Sequence, residues 1–283
     1  MTAVLLSHGI TGAPPEMKPL TRALQKAGFT VAVPPLAGHC STLDDLKRTR
    51  WTDWLATLEG ELRRLRAEHG PVFVSGLSMG ALLALRLAID HPEDVAGVAT
   101  LSATFFYDGW NVPRFSQRYL LPIALHTPLR YVWSYHEPPP FGIKDERIRN
   151  IIAAVYADSA AQMPEKFGYS EFPGVTIRET FRLIKAVRRD LHKVLAPLLI
   201  VHATEDDMAS PDNARFLAAR VGSKEVETYF VDDTYHVLTI DKRKDDVAGR
   251  VAEFFLRRGK TNHGQHDVQE NSIDPDRQVL RTS

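Results

Sequence analysis

Val72-Phe73-Val74-Ser75-Gly76-Leu77-Ser78-Met79-Gly80-Ala81-Leu82-Leu83-Ala84-Leu85 is the stretch on which the reading of this chain turns. A short apolar run reads as a buried strand, and the small-residue run after Gly80 reads as a helix. Between them lies a G-x-S-x-G pentapeptide. In strand–turn–helix context this pattern holds a serine in a strained, exposed turn, because Gly76 and Gly80 have no Cβ to clash where the helix start meets the strand. Ser78 then stands at the carboxyl end of the strand with its hydroxyl free to attack. At average Gly and Ser usage such a pentapeptide arises by chance in roughly one chain in twenty of this length. Its meaning depends on whether the rest of the chain supplies a base, an acid and an oxyanion site.

The chain around it has 283 residues, room for one large α/β domain with an insertion. Hydrophobic residues make up 44% and charged residues 25%, the balance of a soluble globular protein. Lys+Arg and Asp+Glu are equal at 35 each, so no net field favours nucleic acid or an anionic membrane. Cys40 is the only cysteine, which excludes an intramolecular disulfide and argues against a cysteine-based metal site. No run of 18 apolar residues occurs, and the first residues lack the basic and apolar regions of a signal peptide. The expectation is a cytoplasmic protein without stable membrane insertion.

Strand and helix patterns alternate through the first third. Strands are predicted at Ala3 to Ser7, Thr30 to Val33 and Val95 to Leu101, with helices from about Glu16 to Ala27 and Trp51 to Glu68. Continuous apolar strands separated by helices argue for a parallel sheet covered on both faces. The rhythm fails from 103 to 195, a stretch too long for a loop and too aromatic for disorder, and an inserted helical cap is expected there. It returns with strands Pro197 to Val201 and Glu225 to Val231 and helices near Pro211 to Arg220 and Asp245 to Arg258. The expected division is a core of 1–102 and 196–259, a cap of 103–195, and a polar, disordered tail of 260–283.

A nucleophilic serine needs a base within reach and an anion that holds the base in the right tautomer. Of eleven histidines, most lie in helices, the insertion or the tail; His236 follows the late strand Tyr229-Phe230-Val231 in a polar loop, at the sheet edge where open α/β folds bind ligands. The loop after the preceding strand holds Glu205-Asp206-Asp207; Asp206 is expected to be the acid, with Asp207 the runner-up. The oxyanion donors are expected to be the backbone N–H groups of Ile10, in His8-Gly9-Ile10-Thr11-Gly12, and of Met79, at a helix N-terminus. His8 is expected to orient its loop by hydrogen bonding. Phe105, Phe106 and Trp110, just past a strand end, are the candidates for lining an acyl pocket, and Cys40 reads as a small buried residue. No His/Asp/Glu group has metal-ligand spacing, and the chemistry calls for no cofactor.

Together His8-Gly9-x-x-Gly12, Pro34-Pro35-Leu36-x-Gly38-His39, Gly76 to Gly80, Asp206-x-Met208-x-x-Pro211 and His236-Val237-x-Thr239-x-Asp241 resemble the α/β-hydrolases. The closest group is the bacterial carboxylesterase and monoacylglycerol lipase branch. The resemblance spans about Ala3 to Arg258 and implies a serine esterase with Ser78 as nucleophile, Asp206 as acid, His236 as base, and Ile10 and Met79 as oxyanion donors. It implies a trimmed sheet of about six strands, in the family's numbering 4-3-5-6-7-8. Cys40 stands where the family's Gly-His-Gly has its last glycine, which puts the backbone of that loop in question. The expected activity is hydrolysis of short-to-medium-chain carboxylic esters or monoacylglycerols, small-molecule substrates. Cleavage of an amide or C–C bond by the same triad, or a ligand receptor with a vestigial triad, are the alternatives. Acyl-chain length and oligomeric state are not readable from the motifs.

Overall fold

The computed structural model describes residues 2–113, 115, 119–157 and 163–270. In chain order it places β1 (Ala3–Ser7), α1 (Lys18–Lys26), β2 (Thr30–Ala32), α2 (Leu43–Arg48), α3 (Trp51–His69), β3 (Val72–Leu77), α4 (Met79–Asp90) and β4 (Val95–Leu101). Then follow α5 (Leu121–His126), β5 (Ser134–His136), α6 (Glu146–Ala157), α7 (Pro164–Phe167), β6 (Glu171–Pro173), α8 (Gly174–Asp190), β7 (Leu198–Ala203), α9 (Asp212–Ala218), β8 (Val226–Val231) and α10 (Lys244–Glu270). The main sheet runs β2-β1-β3-β4-β7-β8 with every pairing parallel. This is the six-stranded order that the motifs imply, because β5 and β6 form a separate antiparallel pair in the inserted region.

Every residue of β1, β3 and β7 is buried. Side chains alternate across a strand, so the two faces can be read off the sequence. Leu5, Val74, Val98, Leu198 and Ile200 meet Trp54, Leu58 and Leu62 of α3, the apolar side of α4, and Leu183, Ile184 and Val187 of α8. Val4, Leu6, Phe73, Ala99, Leu199 and Val201 meet Leu20 and Leu24 of α1 and Val251, Phe254 and Phe255 of α10. The Phe73 and Phe255 rings stack with centroids 4.6 Å apart. Enclosure on both faces explains why these strands are continuous apolar runs.

Three local readings change. The helix expected from Glu16 is divided: Pro14–Met17 is a 3₁₀ turn, and α1 begins after it. Pro19, without an N–H and with a ring that crowds the preceding turn, forces that break. A short helix, α2, lies between the predicted strand at Thr30 to Val33 and the helix from Trp51, where no element is predicted; Thr42 caps it by accepting the Asp45 N–H at 3.1 Å. The last helix extends to Glu270, beyond the tail boundary set at 260. No proline interrupts that stretch, and residues 271–283 of the expected tail lie outside the described residues.

The region 103–195 is mixed in structure: α5 to α7 and the antiparallel β5–β6 pair cover the carboxyl end of the sheet. Packing draws the cover more narrowly than the composition did. Phe105 joins the core just after β4, and the second half of α8 packs against α4 within the main core. Among the described residues no helix is long and apolar enough to cross a membrane.

Candidate active site

β3 delivers Ser78 into a backbone conformation of φ 55°, ψ −112°, a region in which a residue with a Cβ is strained. The turn fits only because its neighbours are glycine. A Cβ on Gly76 would lie 2.2 Å from the Gly80 carbonyl oxygen, and one on Gly80 would lie 2.4 Å from the Ser7 carbonyl oxygen. The Ser78 N–H donates to the Leu101 carbonyl at 2.8 Å, tying the turn to the neighbouring strand.

The loops after β7 and β8 bring Asp206 and His236 to this serine. His236 Nδ1 lies 2.9 Å from both Asp206 carboxylate oxygens, which accept its proton; Nε2 lies 2.9 Å from Ser78 Oγ. Asp206 is held in turn by the N–H groups of Met208 (3.0 Å) and Ala209 (2.8 Å). Asp207, the runner-up for the acid, has a different job. It accepts the His236 N–H at 3.4 Å and the Gly142 N–H at 3.2 Å, joining the histidine loop to the covering segment.

Burial alone would favour the neutral form of both triad partners. For His236 it is outweighed by the charge of and hydrogen bond to Asp206, with Asp207 and Glu137 adding, and the pKa is raised to about 9. For Asp206, burial is outweighed by His236 and His202 and by the Ala209 N–H, and the carboxyl sits below its ordinary value. The pairing favours a charged imidazolium beside a charged carboxylate.

The loop His8 to Gly12 runs over the serine: a Cβ at Gly9 would lie 3.9 Å from the Ser78 Cβ. Burial pushes His8 down to about 4, so its ring is neutral. Nε2 accepts the Leu36 N–H at 3.2 Å, which leaves Nδ1–H to donate to the Gly9 carbonyl at 3.0 Å. His8 therefore orients the loop, as expected. Cys40 is half-buried rather than buried and keeps φ at 60°, so the backbone retains the left-handed conformation that a glycine would adopt there.

Residues 1–243 match the family described as "Serine aminopeptidase, S33". The chain belongs to this family. Its sequence is 29% identical to the thermostable monoacylglycerol lipase of Bacillus sp. (strain H-257), over 90% of each chain. It is 25% identical to the carboxylesterase of Bacillus subtilis (strain 168), over 89% of this chain and 91% of that one. A solved structure from the metagenome-derived lipolytic enzymes LipS and LipT superposes with a TM-score of 0.75 at 27% identity, covering 90% of this chain and 94% of the other. This member of the S33 family is an α/β-hydrolase, a serine hydrolase of the esterase and lipase type.

As in other ligand sites of open α/β sheets, the cavity of this family member lies at the strands' carboxyl ends. It has a volume of about 900 Å³, with Ser78 and His236 in its wall. The remaining surface is mostly apolar, from Leu77, Val112, Leu121, Leu129, Trp133, Phe141, Ile148, Ile152, Phe172, Ile177 and Phe181. Phe105, Phe106 and Trp110 are not among the lining residues, which corrects the pocket expected from sequence. Asn213 Oδ1 accepts the N–H groups of Phe105 (2.7 Å) and Phe106 (2.8 Å), turning both rings onto Phe216 at 5.2 and 5.0 Å. Trp110 is 60% exposed and donates Nε1–H to the Glu205 carbonyl. Tyr107, next along the chain, faces the cavity instead.

Four residues went unassigned in the sequence reading. Thr104 Oγ1 lies 3.3 Å from Ser78 Oγ. Asp241, present in the His236-Val237-x-Thr239-x-Asp241 motif but given no role, is fully buried. It accepts from Thr234 Oγ1 and from the N–H groups of Tyr235, Lys144 and Asp145, anchoring the histidine loop to the start of α6. Glu16 and Glu137 line the cavity, and burial raises each carboxyl to about 7, Asp207 adding to the effect on Glu137. Neither carried a sequence signal, because what marks them is the cavity itself. Among the described residues no cluster of His, Cys, Asp or Glu is arranged to hold a metal ion.

Proposed function

We propose that this chain is a carboxylesterase for uncharged short-to-medium-chain esters, monoacylglycerols included, acting through an acyl-enzyme on Ser78. The observation that carries this reading is a serine–histidine–carboxylate relay opening into a large, mostly apolar cavity. Neutral His236 takes the Ser78 proton as Oγ attacks the ester carbonyl. Ile10 and Met79 N–H groups receive the tetrahedral oxyanion, and Asp206 stabilises the imidazolium. His236 then protonates the leaving alcohol. Water, activated by the same histidine, releases the acid and restores the serine.

At about 900 Å³ the cavity is at the upper end of the roughly 300–1,000 Å³ common for ligand sites, more than a butyryl group requires. The names of the two Bacillus relatives support an ester substrate. A series of p-nitrophenyl and 1-monoacylglycerol esters from acetyl to palmitoyl, run beside fluorophosphonate labelling, tests the proposal. The expected result is labelling at Ser78 and a rate maximum above butyryl. Turnover of an amide or C–C substrate panel without ester hydrolysis would overturn it.

A further inference from the structure

Glu16 has no place in the triad, yet its side chain is turned inward over the loop that covers the serine. It comes from the 3₁₀ turn Pro14–Met17, an ordinary place for a solvated glutamate. Instead Oε1 accepts the Gly9 N–H at 2.5 Å, and Gly12 packs so closely that a Cβ there would lie 2.5 Å from Glu16 Oε2.

The effect on the neighbouring peptide follows from backbone geometry. In a trans peptide the C=O and the N–H of the next residue point to opposite sides. The Gly9 C=O accepts from His8 Nδ1 at 3.0 Å and from the Gly12 N–H at 3.2 Å. Those two donors fix the plane of the Gly9–Ile10 peptide and so the direction of the Ile10 N–H. The preceding peptide is held on one side by Glu16, which accepts the Gly9 N–H at 2.5 Å, and on the other by a longer 3.4 Å bond from Ser7 Oγ to the His8 carbonyl. Both peptides flanking Gly9 must be held if a residue with no side chain of its own is to keep one conformation.

We propose that Glu16 is a positioning residue: its carboxylate holds the Gly9 N–H so that the next peptide presents the Ile10 N–H to the oxyanion on Ser78. This rests on the serine-hydrolase reading of the site and not on the identity of the ester. An N–H already bound to Glu16 is also withdrawn as a competing donor, leaving the oxyanion to Ile10 and Met79. The titratable groups near enough to act on the Glu16 carboxyl are His236, the Tyr156 hydroxyl and the Cys40 thiol; Lys166, on α7 packed against the same 3₁₀ turn, also lines the cavity.

The test compares Glu16→Ala, Glu16→Gln and Gly12→Ala in the full chain. Three readouts serve: steady-state kinetics on the best ester, the second-order rate of fluorophosphonate labelling, and inhibition by an alkyl trifluoromethyl ketone. Displacement of a catalytic donor by about 1 Å can cost on the order of 100-fold. Glu16→Ala is therefore expected to lower kcat and the labelling rate by about 10- to 100-fold and to raise the ketone Ki in parallel, with KM within about threefold. Glu16→Gln keeps an oxygen that accepts the Gly9 N–H and is expected to recover most of the rate at pH 8. Gly12→Ala, which drives the carboxylate off the loop, should reproduce the loss by a second route if Glu16→Ala fails to fold. Unchanged kcat and labelling in folded Glu16→Ala, or Glu16→Gln as impaired as alanine, would overturn the proposal. Because labelling needs no ester, a wild-type chain that is labelled but turns over no ester would sink the substrate reading and leave this one to be decided by the variants.

Discussion

The strand ends and the cover over them are built on opposite rules. At the ends of β1, β3 and β7, functional groups are fixed by backbone hydrogen bonds: Ser78 to Leu101, Asp206 to Met208 and Ala209, His8 to Gly9 and Leu36. Ser78, Asp206, His236 and His8 are all buried. The cover is tied to the histidine loop by hydrogen bonds at Asp207 and Asp241, yet leaves Leu120, Ile123, Tyr131 and Val132 more than half exposed. The first region can tolerate little displacement, and the second can be reshaped at small energetic cost. On the proposed function, chemistry resides in the strand ends and choice of substrate in the cover.

The sharpest way to break that division is at the triad. Ser78→Ala should leave no measurable ester hydrolysis with an unchanged circular-dichroism spectrum. Asp206→Asn disturbs the tautomer of His236 and should lower kcat by on the order of 10³–10⁴. Asp207→Asn keeps an oxygen for one of the two N–H groups that Asp207 accepts and leaves the Asp206–His236 pair intact, and should lose far less. If the two aspartates ranked the other way in steady-state assays, the acid would be one residue further on.

A smaller effect separates packing from specificity. Phe105 looked like pocket and is core, so Phe105→Ala should destabilise the fold by about 3–5 kcal/mol in urea titration without moving the preferred acyl length. Ile152 lies in the cavity wall. Ile152→Trp should shift the optimum toward shorter acyl groups, with about tenfold loss on the longest good substrate and little change in stability. A change in chain-length preference from Phe105→Ala would show that core and pocket are not separate.

This division also explains what could be read from the sequence. Gly76, Gly80, Ser78 and His8-Gly9 were legible because their requirements are local: a strained turn, a close approach, a ring that braces its own loop. The strand order came from the family resemblance that these motifs carry. Phe105 and Phe106 were misplaced because their direction is set by Asn213, more than a hundred residues away. Glu16 and Glu137 were passed over because a glutamate in sequence reads as solvated, and only the assembled cavity takes water away from it. The boundary of the cover was blurred for a similar reason: α8 has one amphipathic pattern but serves both the cavity and the main core.

The smallest expected effect is the one that joins the two regions. Glu137, just past β5 in the cover, contributes to raising His236, along with Asp206 and Asp207. His236 must be neutral to accept the serine proton, so kcat/KM should rise with pH through the histidine's raised pKa, with a midpoint above the ordinary 6.5 and toward about 9. The same shift contributes stability that is full below pH 6.5 and is lost as pH rises through about 9. Glu137→Gln removes one negative charge facing the ring, which favours the neutral form, and should move the kcat/KM midpoint to lower pH while leaving the plateau rate nearly unchanged. Glu137 carries charge only above its own raised value of about 7, so its influence grows over the same range in which His236 titrates. A pH–rate profile that Glu137→Gln leaves in place would mean that the strand ends set the base alone and that the cover acts on substrate shape only.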